Sequence, residues 1–196
     1  MLSGIILAAG ESRRMGRQKA LLPYAGSTVI EHIVSQVLAS GVDEVLVVLG
    51  HEAEAVQARL RGNAVRIVLN DRYRDGMLSS VRAGLAALPE GTRSAAIFLG
   101  DQPQVRADVV RRLIARYHDC GQPILVPRHR GRGGHPAIIS MDFRAEILGQ
   151  HDNVGLRGLF HAHAEKVYHE DVDDPGVLED LDTPEDYRHA LAQLGE

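Results

Sequence analysis

Short apolar runs alternate with amphipathic stretches along the first half of the chain. That rhythm predicts strands and helices in turn, and hence a parallel α/β sheet. Ile5-Ile6-Leu7-Ala8 reads as the first strand. Thr28 and Glu31 form a capping box ahead of a helix bearing Ile30, Ile33, Val34, Val37 and Leu38, which Gly41 ends. The run Val45-Leu46-Val47-Val48-Leu49 is apolar throughout, as expected for a strand covered on both faces. Residues 52–61 read as helix, 65–69 as strand, 78–88 as helix, 95–99 as strand, 106–119 as helix and 123–126 as a short strand. Residues 128–136 read as a basic, glycine-rich loop. Beyond it the pattern loosens, with helices expected near 142–149 and 154–163 and a strand near 165–170. Thr183 caps a last helix that has Pro184 at its first position. Without repeats or linkers, residues 1–196 are expected to form one domain.

Composition narrows the function classes. Lys and Arg total 22 against 26 Asp and Glu, a formal charge of −4, which argues against a general nucleic-acid or anionic-membrane binder. Aromatics are 4% with no Trp, so the core rests on Val, Leu, Ile and Ala, and base stacking on aromatic platforms is an unlikely theme. The single Cys120 excludes an intramolecular disulfide and a cysteine-based zinc cluster. No apolar run approaches the roughly 20 residues of a membrane span. The apolar start carries no basic leader, so no signal peptide is expected and the cytoplasm is the default compartment.

Four clusters concentrate reactive residue types, and three follow predicted strands, the place where open parallel sheets bind ligands. In residues 7–23, LAAGESRRMGRQKALLP, small residues Ala8, Ala9 and Gly10 allow backbone to approach a ligand. Arg13, Arg14, Arg17 and Lys19 follow, a set suited to polyphosphate or, more plainly, to a solvated basic loop. The pattern is not a P-loop, since five residues separate Gly10 from Gly16 and Arg17-Gln18 precede Lys19. Nor does Ala8-Ala9-Gly10 open a dinucleotide fingerprint. In residues 70–85, Gly76 turns the chain, and Ser79 and Ser80 stand to cap the next helix. In Leu99-Gly100-Asp101-Gln102-Pro103, Asp101 suits either Mg²⁺ or a turn cap. The acidic stretch 178–186 suits a helix start with no ligand at all. His135, in a Gly-rich stretch, is either a ligand or an ordinary loop histidine. His161 and His163, two apart on a helix, point different ways and stay unassigned.

The first cluster resembles the LAAGxSxRMGxxK signature of the molybdenum cofactor cytidylyltransferases, a MobA-like group of pyrophosphorylase-like nucleotidyltransferases. Leu7, Ala8, Ala9, Gly10, Ser12, Arg14, Met15, Gly16 and Lys19 fill every fixed position. The remaining clusters resemble the family's Gly-Met-x-Ser-Ser, Gly-Asp-x-Pro and Asp-x-Asp-Thr-Pro-Glu-Asp motifs, in the expected order. The resemblance implies a Rossmann-like three-layer α/β/α fold with a mostly parallel mixed sheet, similar to the nucleotide-diphospho-sugar transferases. It implies an N-terminal half for the triphosphate and a C-terminal half for the acceptor. Arg14 and Lys19 would hold the triphosphate, Leu7, Ala8, Ala9, Gly10 and Ser80 would border the nucleotide, and Asp101 and Asp182 would bind Mg²⁺. Arg14, Lys19 and Asp101 form the implied catalytic set, with Asp180 a less favoured neighbour. His135 and Arg157 fall on the acceptor side. Ala9, where guanylyl-transferring relatives have Gly, leans toward CTP. Two departures, Asp152-Asn153 in place of Gly-Asp and Leu156 in place of Ala, bear on the acceptor rather than on the nucleotide.

The expected reaction is transfer of CMP from CTP to the terminal phosphate of molybdopterin molybdenum cofactor, with a molybdenum hydroxylase as eventual recipient. A phosphate monoester is already largely ionised at neutral pH, so no dedicated base is required. Two alternatives stay open. One is another triphosphate or a small phosphorylated acceptor such as a sugar phosphate or methylerythritol phosphate. The other is a non-catalytic cofactor-delivery factor, against which the presence of Arg14, Lys19, Asp101 and Asp182 argues.

Overall fold

Strand β1 (Leu2–Ala8) is apolar at nearly every position and buried along most of its length, because helices cover both faces of the sheet it centres. The computed structural model describes residues 1–152 and 154–195. After β1 come a small hairpin, β2 (Pro23–Tyr24) and β3 (Ser27–Thr28), then α1 (Val29–Leu38), β4 (Glu44–Leu49), α2 (Ala53–Arg59) and β5 (Arg66–Leu69). The chain continues with α3 (Met77–Ala86), β6 (Ser94–Leu99), α4 (Ala107–Cys120), β7 (Ile124–His129), β8 (Arg132–Gly133) and β9 (Ala137–Ser140). Helices α5 (Arg144–Gly149) and α6 (Leu156–Ala162), strand β10 (Val167–Asp171) and helix α7 (Pro184–Gln193) complete it.

Among the described residues the main sheet runs β10-β7-β9-β6-β1-β4-β5, with β8 paired to β7. Strand β1 is parallel to both β4 and β6, and β5 and β10 are parallel to their neighbours. The fold is therefore the expected mixed, mostly parallel three-layer α/β/α arrangement. Alternation along β1 divides the core between the two faces. Leu2, Ile6 and Ala8 pack with α1, α2, α4 and α7, while Ile5 packs with α3, α5 and α6. Each fully buried aliphatic side chain contributes about 1.5–3 kcal/mol.

Helix starts follow the predicted chemistry. The Thr28 hydroxyl accepts from Glu31 N, and Glu31 accepts from Thr28 N at 3.0 Å, a reciprocal box worth about 1 kcal/mol. Thr183 does the same with Asp186 ahead of α7. Ser79 and Ser80, in contrast, do not cap α3. That helix already begins at Met77 after Gly76 (φ +99), with no side-chain cap.

The other departures lie where strands are short. Residues 128–136 are not a plain loop. Strand β7 runs on to His129, turns at Arg130 (φ 49) and Gly131 (φ 79), and returns as β8. Two consecutive positive φ values make the tight hairpin turn that matches strand twist. Strand β9 then enters antiparallel between β6 and β7. The β2–β3 hairpin turns in the same way at Ala25 (φ 48) and Gly26 (φ 77).

Candidate active site

Because β1, β4 and β6 are parallel, their carboxyl ends share one edge, and two glycines let the following loops meet there. Gly100 N–H donates to Leu7 O at 2.9 Å, and a Cβ at Gly100 would lie 2.7 Å from that same oxygen. At Gly50 a Cβ would lie 2.7 Å from the Tyr73 side chain and 2.9 Å from Ala9 O. Any side chain at either position would push the strand ends apart.

The loop after β1 is held in shape by its own polar groups. Ser12 takes the left-handed conformation (φ 52), a one-turn helix follows at Arg13–Met15, and Gly16 (φ 71) closes it over the buried Met15. Gln18 is buried inside the loop. Its Nε2 donates to His51 O at 3.0 Å and Gly10 O at 3.3 Å, and its Oε1 accepts from Ser12 Oγ at 2.8 Å. Ser12 Oγ in turn accepts from Lys19 N at 3.1 Å. These bonds turn the chain inward at Lys19. Sequence reasoning missed Gln18, because burial of one amide leaves no periodic signal.

Lys19 joins three distant parts of the chain. Its Nζ donates to Asp101 Oδ2 at 2.9 Å and to Asp182 Oδ1 at 2.8 Å, and Arg14 reaches the other Asp182 oxygen at 2.9 Å. Burial alone would lower the Lys19 pKa, but the two carboxylates outweigh it and the net shift is upward. For Asp182, burial raises the pKa while Lys19 and Arg14 lower it, and the net shift is downward. The acidic loop is positioned separately. Leu181 N donates to Asp101 O at 2.9 Å, and Asp182 N donates to Asp186 Oδ2 at 3.1 Å. Asp186 thus serves the helix start and leaves the Asp182 carboxylate facing Lys19.

Asp180 differs from its neighbours. Burial and the nearby Asp101 push its pKa up, although Gln102 Nε2 donates to its Oδ1 at 2.7 Å. The partly exposed, oxygen-only pair Asp101 and Asp182 fits Mg²⁺, which binds through one or two carboxylates and completes its shell with water and phosphate. Among the described residues no three His, Cys, Asp or Glu side chains form a closed metal cage, so an ion here would depend on those further ligands.

Beside this cluster opens a cavity of about 310 Å³. It collects Leu7, Ala8, Ala9, Gly10, Lys19, Ser80 and Asp101 from the expected set, together with Tyr73 and Met77. Asn70 Nδ2 donates to Ser80 Oγ at 3.0 Å and to Ser79 Oγ at 2.9 Å, and Ser79 Oγ donates to Gly76 O at 2.8 Å. Ser80 therefore belongs to the cavity wall, and Ser79 ties it to the turn at 72–76 through Arg72 O and Gly76 O. Asn70 is a second residue that the sequence pattern did not single out.

His135 lies beyond Asp101, on the turn into β9, and its backbone N–H donates to Val177 O at 2.9 Å. Burial lowers its pKa to about 4, with Arg157 adding to the shift and Asp101 opposing it, so the ring is neutral at pH 7. His135 thus falls within electrostatic reach of both Asp101 and Arg157. The departures nearby have structural uses. Asp152 pairs with Arg82, and Leu156, the first residue of α6, packs half-buried against the core under α3 and α5. Asn153 lies outside the described residues.

A family model described as the MobA-like NTP transferase domain matches residues 4–167. The nicotine blue oxidoreductase of Paenarthrobacter nicotinovorans is 34% identical, over 94% of this chain and 93% of its own. The molybdenum cofactor cytidylyltransferase of Escherichia coli is 26% identical, over 93% of this chain and 92% of its own. Among solved structures, Rv0371c of Mycobacterium tuberculosis is 32% identical with a TM-score of 0.86, over 97% of each chain. A complex of that mycobacterial protein with manganese is also similar, at 31% identity and a TM-score of 0.82, over 97% of this chain and 98% of that one. No described helix is long and apolar enough to cross a membrane.

Proposed function

Since this chain belongs to the MobA-like NTP transferase family and is a nucleotidyltransferase, we propose that it transfers CMP from CTP to the terminal phosphate of molybdopterin molybdenum cofactor. Pyrophosphate is released, and a cytoplasmic molybdenum hydroxylase receives the product. The observation that carries this reading is the meeting of Lys19, Asp101 and Asp182, with Arg14, at the rim of the cavity that follows β1. Such a site solves the two problems of the reaction, repulsion between anions and alignment of attack.

In the reaction proposed here, the backbone of Leu7, Ala8, Ala9 and Gly10 and the Ser80 hydroxyl border the nucleoside. Arg14 and Lys19 exchange their carboxylate partners for phosphate oxygens and stabilise charge on the departing pyrophosphate. Asp101 and Asp182 would hold Mg²⁺, which supplies further positive charge to the phosphates. His135, uncharged at neutral pH, and Arg157 line the approach of the acceptor. The N-terminal half is thus assigned to the triphosphate and the C-terminal half to the acceptor, within one domain.

The test is Mg²⁺-dependent pyrophosphate release from CTP, GTP and ATP, with purified molybdenum cofactor as acceptor. Release from CTP that depends on the cofactor is expected. GTP-only activity would overturn the base assignment. Release that needs a sugar phosphate or methylerythritol phosphate instead would overturn the acceptor.

A further inference from the structure

One carboxylate on the acceptor side is shared by two histidines from different elements. Glu146, in α5, accepts from His151 Nε2 at 2.8 Å through Oε1 and from His163 Nε2 at 2.9 Å through Oε2. His151 lies just before α6 and His163 just after it. The two bonds therefore pin both ends of the segment that carries Arg157. Helix α6 has seven residues, too few to hold itself without such support.

The site is built for this arrangement. His151 takes the left-handed conformation (φ 74), and its ring lies over Gly158, where a Cβ would come within 2.7 Å of Nδ1. The His163 ring leans on Phe143 with centroids 4.8 Å apart. The Glu146 pKa is held below the usual carboxylate value, chiefly by the His151 bond and then by His163. The surrounding charges are Arg82 of α3, paired with Asp152, and Lys166, which lies over the Phe143 ring. Arg144 of α5 donates to Ala86 O, and His161 and Glu165 follow along the same segment.

We propose that Glu146, with His151 and His163, is a positioning clamp that holds the segment carrying Arg157 in place on the acceptor side. The carboxylate accepts both imidazole N–H groups at once, one on each oxygen. A glutamine at 146 keeps one such acceptor and turns its amide donor toward the other ring. The clamp's role in catalysis rests on the acceptor assignment above, whereas its mechanical role does not.

The experiment follows amide hydrogen exchange over residues 154–163 in the full-length protein at a single fixed pH. The same variants are assayed for the KM of molybdenum cofactor and the Kd of CTP. In Glu146→Ala, exchange in this segment should quicken about tenfold, the factor for one net hydrogen bond. The KM of the acceptor should rise by a similar factor with CTP binding unchanged. Glu146→Gln, which keeps one of the two acceptors, should quicken exchange and raise the acceptor KM less than Glu146→Ala does. Gly158→Ala, whose Cβ would clash with Val154 and meet the His151 ring at 2.7 Å, should reproduce the Glu146→Ala pattern without removing a charge.

Unchanged exchange in Glu146→Ala, or a Glu146→Gln variant that exchanges as fast as Glu146→Ala, overturns the clamp. If exchange quickens yet the acceptor KM stays constant, while Arg157→Ala raises it, the clamp does not set Arg157 and the proposal fails. If Arg157→Ala also leaves that KM unchanged, the acceptor assignment is at fault, and exchange alone decides the clamp.

Discussion

Replacing Lys19 with Met keeps most of the side-chain volume and removes the one charge that faces both Asp101 and Asp182. The Lys19 side chain is only 12% exposed, and its two bonds measure 2.8 and 2.9 Å. Breaking a buried pair by removing one partner costs about 3–5 kcal/mol. Asp101 and Asp182 keep side-chain exposures of 27% and 30%, so water relieves part of their repulsion. A loss of about 2–3 kcal/mol is therefore expected, still more than a surface pair would give. For a chain of this size it corresponds to a fall of about 5–10 °C in Tm. The cost should depend on pH. The pKa of Asp182 is lowered in the fold, so its contribution is present above the ordinary carboxylate range and is lost as pH falls through the folded value. The gap between variant and wild type should therefore close in acid. It should also close with millimolar Mg²⁺, because a cation then has two unpartnered carboxylates to bind. Thermal melts with and without Mg²⁺ at neutral and acid pH test this directly, alongside pyrophosphate release, which should fall by about 10²–10³. A variant as stable as the wild type without Mg²⁺, or one turning over near the normal rate, would refute the ionic account of the site.

Three further outcomes follow from the same geometry. Asp101→Asn should lower pyrophosphate release by about 10²–10³ while leaving CTP binding within a few-fold, measured by titration and single turnover; near-normal turnover would remove Asp101 from the metal pair. Gln18→Leu strands Gly10 O, His51 O and the Ser12 hydroxyl. It should cost about 1–3 kcal/mol in urea unfolding and raise the KM for the triphosphate more than it lowers kcat. His135 has a folded pKa of about 4 against an ordinary 6.5. Between those values the unfolded chain holds more protons, so stability rises with pH across this window, is complete above it, and is flat below it. His135→Asn should flatten that slope in urea midpoints, and an unchanged slope would mean the ring is not held neutral.

What could be read in advance depended on how local each cause was. Strands β1 and β4 are apolar runs, and the boxes Thr28/Glu31 and Thr183/Asp186 are three-residue patterns, so periodicity and spacing sufficed for them. Strand β9 resisted the same reading. Its four residues are too few to show a period, and what makes them a strand is the open hydrogen-bonding edge between β6 and β7, supplied from elsewhere in the chain. The hairpins at Ala25-Gly26 and Arg130-Gly131 carry only the glycine half of the Asn-Gly or Asp-Gly turn signal, and flanking strands two residues long on at least one side show no period.

The site divides along the same line. Lys19, Asp101 and Asp182 belong to motifs and were named by them, but their partnership is long-range, since Lys19 and Asp182 stand 163 positions apart. Parallel β1 and β6 bring the first two to one edge, and the Leu181–Asp101 backbone bond brings the third. That assembly explains why Asp182, rather than Asp180, meets the lysine. Asp186 accepts from the backbone N–H groups of Asp182 and Thr183, which fixes the turn, and Gln102 takes Asp180. The neighbours of each acidic residue thus decide which carboxylate meets the lysine. Asp186→Ala tests the part that Asp186 plays. With the Asp182 backbone released, the lysine pair should weaken, so triphosphate binding should become more sensitive to salt without any loss of the Thr183 hydroxyl cap. Salt titration of CTP affinity in that variant, compared with Thr183→Ala, separates the two duties. If both variants respond alike, Asp186 acts only as a helix cap and the orientation of Asp182 needs another cause.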